Sequence, residues 1–311
     1  MTLTELRYIV AVSQKNHFGQ AARACFVSQP TLSIAIKRLE EELGVRLFER
    51  SSKNEIRITD IGQQVINQAY IVLQESQLLS EIAQQGKDPL SGQFKLGVIY
   101  TIGPYLLPDL IPGLTKSAPK LRLIIEENFT ANLFQSLKQG ALDAIIISYP
   151  FEEPGIETAP LYQEPFIVAL PKDHEWKDRD TIAPEELASQ DLMLLGAGHC
   201  FRDQVIAACP NCMSGNSELT RTLEGGSLET IRHMVASGTG ITVFPRTSIL
   251  NGAQNEGLIR IKPFKPPSPA RTVAIAWRKH YSRTEAIQTV KATIQSCPLN
   301  GVEIIREPAI K

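Results

Sequence analysis

Three of the five cysteines of this chain, Cys200, Cys209 and Cys212, fall within thirteen positions, whereas Cys25 and Cys297 stand apart. In the run Gly198-His199-Cys200-Phe201-Arg202-Asp203 one thiol lies between a histidine and an arginine. Only the thiolate is a nucleophile, and neighbouring cations favour it over the thiol. A thiolate that attacks an O–O bond becomes a sulfenic acid, which a second thiol can capture as a disulfide. The bland alternative is a small inert apolar residue at position 200, and it leaves the flanking His199 and Arg202 unexplained. Cys209-Pro210-Asn211-Cys212 has the CxxC spacing of dithiol exchange pairs and of half zinc sites. A zinc set drawn from His199 or Cys200 with Cys209 and Cys212 lacks a clear fourth ligand. The pair also does not clearly open a helix after a strand, as an exchange pair would. No metal or other cofactor is therefore expected, and Cys212 is left as an alternative resolving thiol or a bystander. Cys25 reads as a core residue, and Cys297 has no partner motif.

The chain that must position these thiols has 311 residues, 43% hydrophobic and 21% charged. That is too apolar for a disordered chain and long enough for two or three folding units. An odd cysteine count argues against a secreted disulfide framework. The N-terminal residues lack the pattern of a signal peptide, and the strongest apolar stretch, Leu142 to Ser148, is far too short to cross a membrane. A cytoplasmic protein without membrane contact is expected. The net charge of −1 hides a small asymmetry, because residues 1–60 carry nine basic and seven acidic side chains. That end is the one suited to phosphate.

Residues 1–60 read as consecutive short helices. Ser28 suits an N-cap and Pro30 a first helical turn, so a helix is expected from there to Gly44. Its apolar face would be Leu32, Ile36, Leu39 and Leu43, with Thr31, Ser33, Lys37 and Arg38 on other faces. Two short helices with a tight turn, the second basic on its outer side, form a helix-turn-helix able to enter a major groove. Residues 46–59 read as a two-stranded wing with its tip at 51–54. From Asp60 a longer helix begins, with Val65, Ala69, Val72, Ser76, Leu79 and Ala83 in a heptad seam suited to dimerisation. It stops at Gly86-Lys87-Asp88-Pro89. Beyond Ser91, strands (Phe94 to Ile99, Leu121 to Glu126, Ala144 to Ser148, Phe166 to Leu170, Ile241 to Phe244, Thr272 to Trp277) alternate with helices. This predicts βαβ units on mainly parallel sheets, split into two α/β lobes with a ligand cleft between them. The expected division is 1–60 for the DNA reader, 61–88 for the linker helix, 91–164 with 268–300 for one lobe, and 165–267 for the lobe with the clustered cysteines.

The stretch FGQAARACFVSQPTLSIAIKRLEEELGVRLFER, with GALDAIII and ASGTGITVFP downstream, resembles the LysR-type transcriptional regulators over essentially the whole chain. MTLTELRYIVAV, TIGPYLLP, GHCFRDQVIAAC and SLETIRHMVASGTGIT are similar to the peroxide-sensing members of that family. The resemblance implies an α+β multidomain protein: a winged helix-turn-helix, a linker helix, and a periplasmic-binding-protein-like α/β effector domain of two subdomains. It implies a regulator, not an enzyme, that acts on antioxidant genes. Its partners would be double-stranded promoter DNA, a second copy through the linker helix within a homotetramer, RNA polymerase, and hydrogen peroxide as signal.

DNA contact then falls to Gln29, Pro30, Thr31, Ser33, Lys37 and Arg38 on the recognition helix and to Arg50 and Arg57 near the wing. Gln29 suits adenine and the cations suit phosphates. Cys200 becomes the peroxidatic thiol and Cys209 the resolving one, although Cys212 leaves that pairing open. His199, Arg202, Asp203, Thr101 and Thr130 surround the thiolate and peroxide, the two threonines having N-cap roles as their plainer alternative. If Phe201 to Ala208 is helical, Cys200 and Cys209 stand roughly 13 Å apart, and disulfide-bonded Cα atoms lie within about 7 Å. Oxidation would then require local unwinding or a swing of one end, and so a different fold of the segment. Two other readings remain: a LysR-type regulator with a small organic inducer in the interlobe cleft, and a thiol peroxidase, which would have no use for a DNA-binding segment.

Overall fold

The structure is a computed structural model that describes residues 1–50, 56–85, 88–209, 225–249 and 257–306. The wing tip at 51–54 and Cys212 lie outside the described residues. The chain divides into two compact units, one built on Met1–Asp88 and one on Pro89–Leu137 and Leu142–Lys311.

The first unit holds α1 (Leu3–Lys15), α2 (Phe18–Ala24), α3 (Gln29–Leu43), β1 (Phe48–Arg50), β2 (Ile56–Ile58) and α4 (Asp60–Gln85). Each helix starts on a polar cap. Thr2 and Glu5 form a reciprocal capping box on α1. The His17 ring accepts from the Gly19 and Gln20 amides at α2. Ser28 Oγ accepts from the Thr31 amide at 3.3 Å, with Pro30 in the first turn of α3. Gly44, in the left-handed region at φ 70°, stops α3. Leu32, Ile36 and Leu39 are buried against Leu6, Ile9, Val12 and Ala21, but Leu43, expected on the same face, is 37% exposed because the last turn of α3 runs past this core.

The heptad seam of α4 also serves two purposes. Ala69 is buried in the core of this unit and Val65 and Val72 pack on it, together with Ile66 and Leu73. Farther along, Leu79 is 69% exposed. Half of the seam expected for dimerisation is therefore already occupied within the chain.

The second unit holds β3 (Gly92–Ile99), α5 (Gly103–Ser117), β4 (Leu121–Asn128), α6 (Thr130–Lys138), β5 (Ala144–Tyr149), β6 (Ile156–Pro171), β7 (Leu192–Met193), α7 (Cys200–Ala208), α8 (Leu228–Ala236), β8 (Ile241–Pro245), β9 (Ile259–Pro263), β10 (Ala270–Arg278), α9 (Thr284–Ser296) and β11 (Glu303–Ile304). The strands follow the order β4-β3-β5-β10-β6-β8-β7, with β9 and β11 also pairing with β6. The expected mainly parallel sheet is instead mixed. β3 runs parallel to β4 and β5, and β7 to β8, but β10 is antiparallel to both of its neighbours, and β8 and β9 are antiparallel to β6. Strand periodicity carries no direction. Here β10 arrives from far along the chain and inserts between β5 and β6.

β6 has 16 residues and serves two cores. Leu161 and Tyr162 belong to a core formed by β3, β5, β10, α5 and α9, and Phe166 to Leu170 to a second core with Trp176, Phe201, Val205 and Phe244. Among the described residues no helix is long and apolar enough to cross a membrane.

Candidate functional site

Three chain segments converge beside Cys200. Tyr100 and Thr101 follow β3, Asn128 to Thr130 join β4 to α6, and Gly198 to Cys200 open α7; together with Ile99 they line a cavity of about 10 Å³. Two of the three segments leave the carboxyl ends of parallel strands, where α/β folds place their ligands. A cavity of this size holds about one water-sized molecule. Gly198 has φ +95°, a left-handed conformation that lets the chain turn into the helix. His199 is the N-cap residue of α7, so Cys200 is its first helical residue, at the amide end that favours negative charge.

The hydroxyl groups are arranged for donation. Thr101 is buried; its Oγ1 accepts from Arg271 Nη1 at 2.8 Å and its carbonyl from Nη2 at 2.9 Å. With an arginine as its donor, the Thr101 hydroxyl keeps its own proton to give. Thr130 Oγ1 is buried at the cavity and has no hydrogen-bond partner among the described residues. Among the described residues neither hydroxyl makes a cap bond: the N-cap of α5 is Ile102, and Thr130 is itself the first residue of α6, its Oγ1 accepting from no amide. Their plainer N-cap role is absent.

His199 is buried. Burial pushes its imidazole pKa below the usual 6.5, against a weaker opposing effect of a hydrogen bond with the Gly226 backbone. Its charged form beside the thiol is therefore disfavoured, against the cation its neighbourhood in sequence suggests. Arg202 does not line the cavity; its Nη1 donates to the Leu195 carbonyl at 2.8 Å and so ties α7 to the segment after β7. Asp203 is exposed in the first turn of α7 and also lies outside the cavity wall.

Cys200 and Cys209 are both free thiols, at opposite ends of α7. Cys200 packs half-buried on the first core, and Cys209 is fully buried in the second. Nine residues of α-helix separate their Cα atoms by roughly 13 Å, beyond the about 7 Å of a disulfide. Cys25 is half-buried against the core of the first unit.

Sequence reading misses the groups that hold this site. Arg271 on β10 and Glu164 on β6 form an ion pair at 2.7 Å with no exposure on either side chain. Glu164 also accepts from the Thr247 amide at 2.7 Å and from the Thr247 hydroxyl. The guanidinium lies 5.3 Å from the centre of the Phe201 ring, the residue after Cys200. Gln204, one turn along α7, donates to Ser148 Oγ at 2.6 Å, and its Oε1 is buried without a partner among the described residues. These contacts join residues tens to more than a hundred positions apart, and no spacing in the sequence signals them.

In the first unit, Gln29, Pro30, Thr31, Lys37 and Arg38 are exposed on α3 and Ser33 is half-buried. Lys37 pairs loosely with Glu41 at 3.7 Å. Arg57 is exposed on β2, and Arg50 ends β1. Glu40, on the inner side of α3, accepts from the Leu47 and Phe48 amides at 2.7 and 3.1 Å and so fixes the wing against the helix.

A bacterial helix-turn-helix unit followed by a two-core α/β effector unit defines a class of transcription regulator. Residues 3–63 match the model of the bacterial regulatory helix-turn-helix proteins of the lysR family, and residues 87–297 match the LysR substrate binding domain. The chain belongs to the LysR family. Within it, the chain is similar to the DNA-binding transcriptional dual regulator OxyR of Escherichia coli K12, at 39% identity over 89% of this chain and 90% of that protein. It is 40% identical to the hydrogen peroxide-inducible genes activator of Pectobacterium carotovorum, with the same coverage. A solved full-length Pseudomonas aeruginosa OxyR variant is 49% identical, with a TM-score of 0.78 over 96% of this chain and 99% of that one.

Proposed function

We propose that this chain is a transcription regulator that senses hydrogen peroxide at Cys200 and signals by forming a Cys200–Cys209 disulfide. The observation that carries the reading is the cavity of about 10 Å³ beside Cys200, into which two threonine hydroxyls are built. Sites for small organic molecules occupy roughly 300–1,000 Å³, so the much smaller cavity beside Cys200 suits a peroxide. The relatives named above as peroxide-inducible activators support the same reading.

In the reaction, the Cys200 thiolate attacks one peroxide oxygen. An S–O bond forms, the O–O bond breaks, and the departing hydroxide takes a proton to leave as water. Thr101, polarised by Arg271, donates a hydrogen bond to the departing oxygen; Thr130 holds the other end of the peroxide. The Cys209 thiol then displaces water from the sulfenic acid. Because α7 holds the sulfurs apart, the disulfide state requires α7 to unwind, and this two-state segment transmits the signal. Cys212 is the alternative resolving thiol.

The DNA-reading unit, residues 1–60, contacts promoter DNA through Gln29, Pro30, Thr31, Ser33, Lys37, Arg38, Arg50 and Arg57. The linker helix 61–88 and the effector lobes (91–164 with 268–300, and 165–267) assemble the chain into a homotetramer that engages RNA polymerase. The test is a DNA-binding assay on wild type and Cys200→Ser, with peptide mapping before and after hydrogen peroxide. The wild type gains a 200–209 cross-link and changes its DNA footprint, and the variant does neither. A footprint that shifts equally in the variant refutes the reading.

A further inference from the structure

Three rings line the Cys200 cavity and pack on one another. Phe129, in the turn between β4 and α6, lies edge-on to the His199 ring with centres 4.8 Å apart, and Tyr100 packs edge-on to Phe129 at 5.3 Å. Tyr100 and His199 complete the triangle at 6.1 Å. All three residues line the cavity. The backbone around Phe129 is tied down: Asn128 Oδ1 accepts from the Phe129 amide and from Asn132 Nδ2, both at 2.9 Å. A Cβ at Gly198 would sit in ordinary van der Waals contact with Phe129 Cδ1, at 3.4 Å, so the ring packs directly over the turn that leads into α7. Nothing in the sensing chemistry itself requires an aromatic side chain at position 129. An open thiol would suffice.

We propose that Phe129, braced by Tyr100 and His199, is a specificity-determining lid that admits hydrogen peroxide to Cys200 and excludes organic hydroperoxides. This inference rests on the reading of Cys200 as the reacting thiol. For any hydroperoxide ROOH the step is the same: thiolate sulfur bonds to the terminal oxygen, the O–O bond breaks, sulfur loses two electrons, and RO⁻ takes a proton to leave as ROH. Only the size of R differs. With R = H the molecule approaches the size of the cavity of about 10 Å³. With R a tert-butyl group, four carbons must occupy the space now filled by the three rings.

The test is the loss of free Cys200 thiol, followed by rapid quench and mass-spectrometric labelling, in the full-length protein treated with hydrogen peroxide or tert-butyl hydroperoxide. The ratio of the two second-order rate constants is expected to fall about tenfold or more in Phe129→Ala, the low end of what a shape-matched apolar pocket discriminates, with Phe129→Leu in between. If the alanine variant does not fold, the leucine variant decides alone. A ratio unchanged from wild type overturns the lid. A wild-type Cys200 that reacts with hydrogen peroxide no faster than a free thiol overturns the sensor reading, and the lid with it.

Discussion

Glu164→Gln tests whether the buried ion pair is what holds the sensing site in place. The wild-type carboxylate balances Arg271 through contacts at 2.7 Å with both side chains fully buried. The amide leaves the guanidinium charge without a counter-charge, and it faces the Thr247 amide and hydroxyl with less acceptor strength. Removing one partner of a buried pair costs about 3–5 kcal/mol. For a unit of this length each kcal/mol lowers the melting temperature by roughly 2–4 °C. The effector transition should therefore fall by about 6–20 °C in scanning calorimetry of the full chain. Replacing both residues with apolar ones, Glu164→Leu with Arg271→Met, removes the stranded charge and should recover part of that loss, the Thr247 amide and hydroxyl still lacking their acceptor. The double variant should nevertheless remain slow to oxidise, because the Thr101 hydroxyl has lost its arginine donor. A single variant within about 2 °C of wild type, or a double variant less stable than the single, would refute the account of the pair.

Thr101→Val should slow oxidation of Cys200 by hydrogen peroxide roughly tenfold, the worth of one hydrogen bond to a developing charge at about 1.5 kcal/mol; an unchanged rate removes Thr101 from the mechanism. Lys37→Ala or Arg38→Ala, on the exposed side of α3, should weaken binding to all DNA sequences and reduce the log–log salt slope by about 1. An unchanged slope excludes phosphate contact by that residue. Burial pushes the Cys297 thiol up to about 11, with Asp109 adding to the effect, and its Sγ donates to the Thr293 carbonyl. Alkylation of Cys297 at neutral pH should therefore be about a hundredfold slower than that of an ordinary exposed cysteine, and rapid labelling there would contradict that burial.

Local chemistry was the readable part of this chain. Ser28, Pro30 and Gly44 mark the ends of α3 because caps and left-handed turns depend on residues close in sequence. The strands at Phe94, Ala144 and Thr272 are recognisable from their apolar runs. What depends on distant partners was not readable. The insertion of β10 between β5 and β6 makes the sheet mixed, and the pairing of Arg271 with Glu164 spans 107 positions. The seam of α4 suits dimerisation by its spacing, yet Ala69 is buried in the core of its own unit. At the site, adjacency in sequence misled on charge. Arg202, two residues from Cys200, bonds to the Leu195 carbonyl, and burial disfavours the charged form of His199. The guanidinium of Arg271, 71 positions from Cys200, is bonded to a cavity-lining group instead.

The central claim is that one helix cannot hold the reduced thiols apart and also accommodate their disulfide. Hydrogen exchange of the backbone amides from Gln204 to Cys209, measured on the reduced and the peroxide-treated protein, tests it directly. In the reduced state these amides are bonded within α7 and are protected. After oxidation their protection should collapse, in step with the appearance of the Cys200–Cys209 cross-linked peptide. Equal protection in both states, with the cross-link present, would contradict the account.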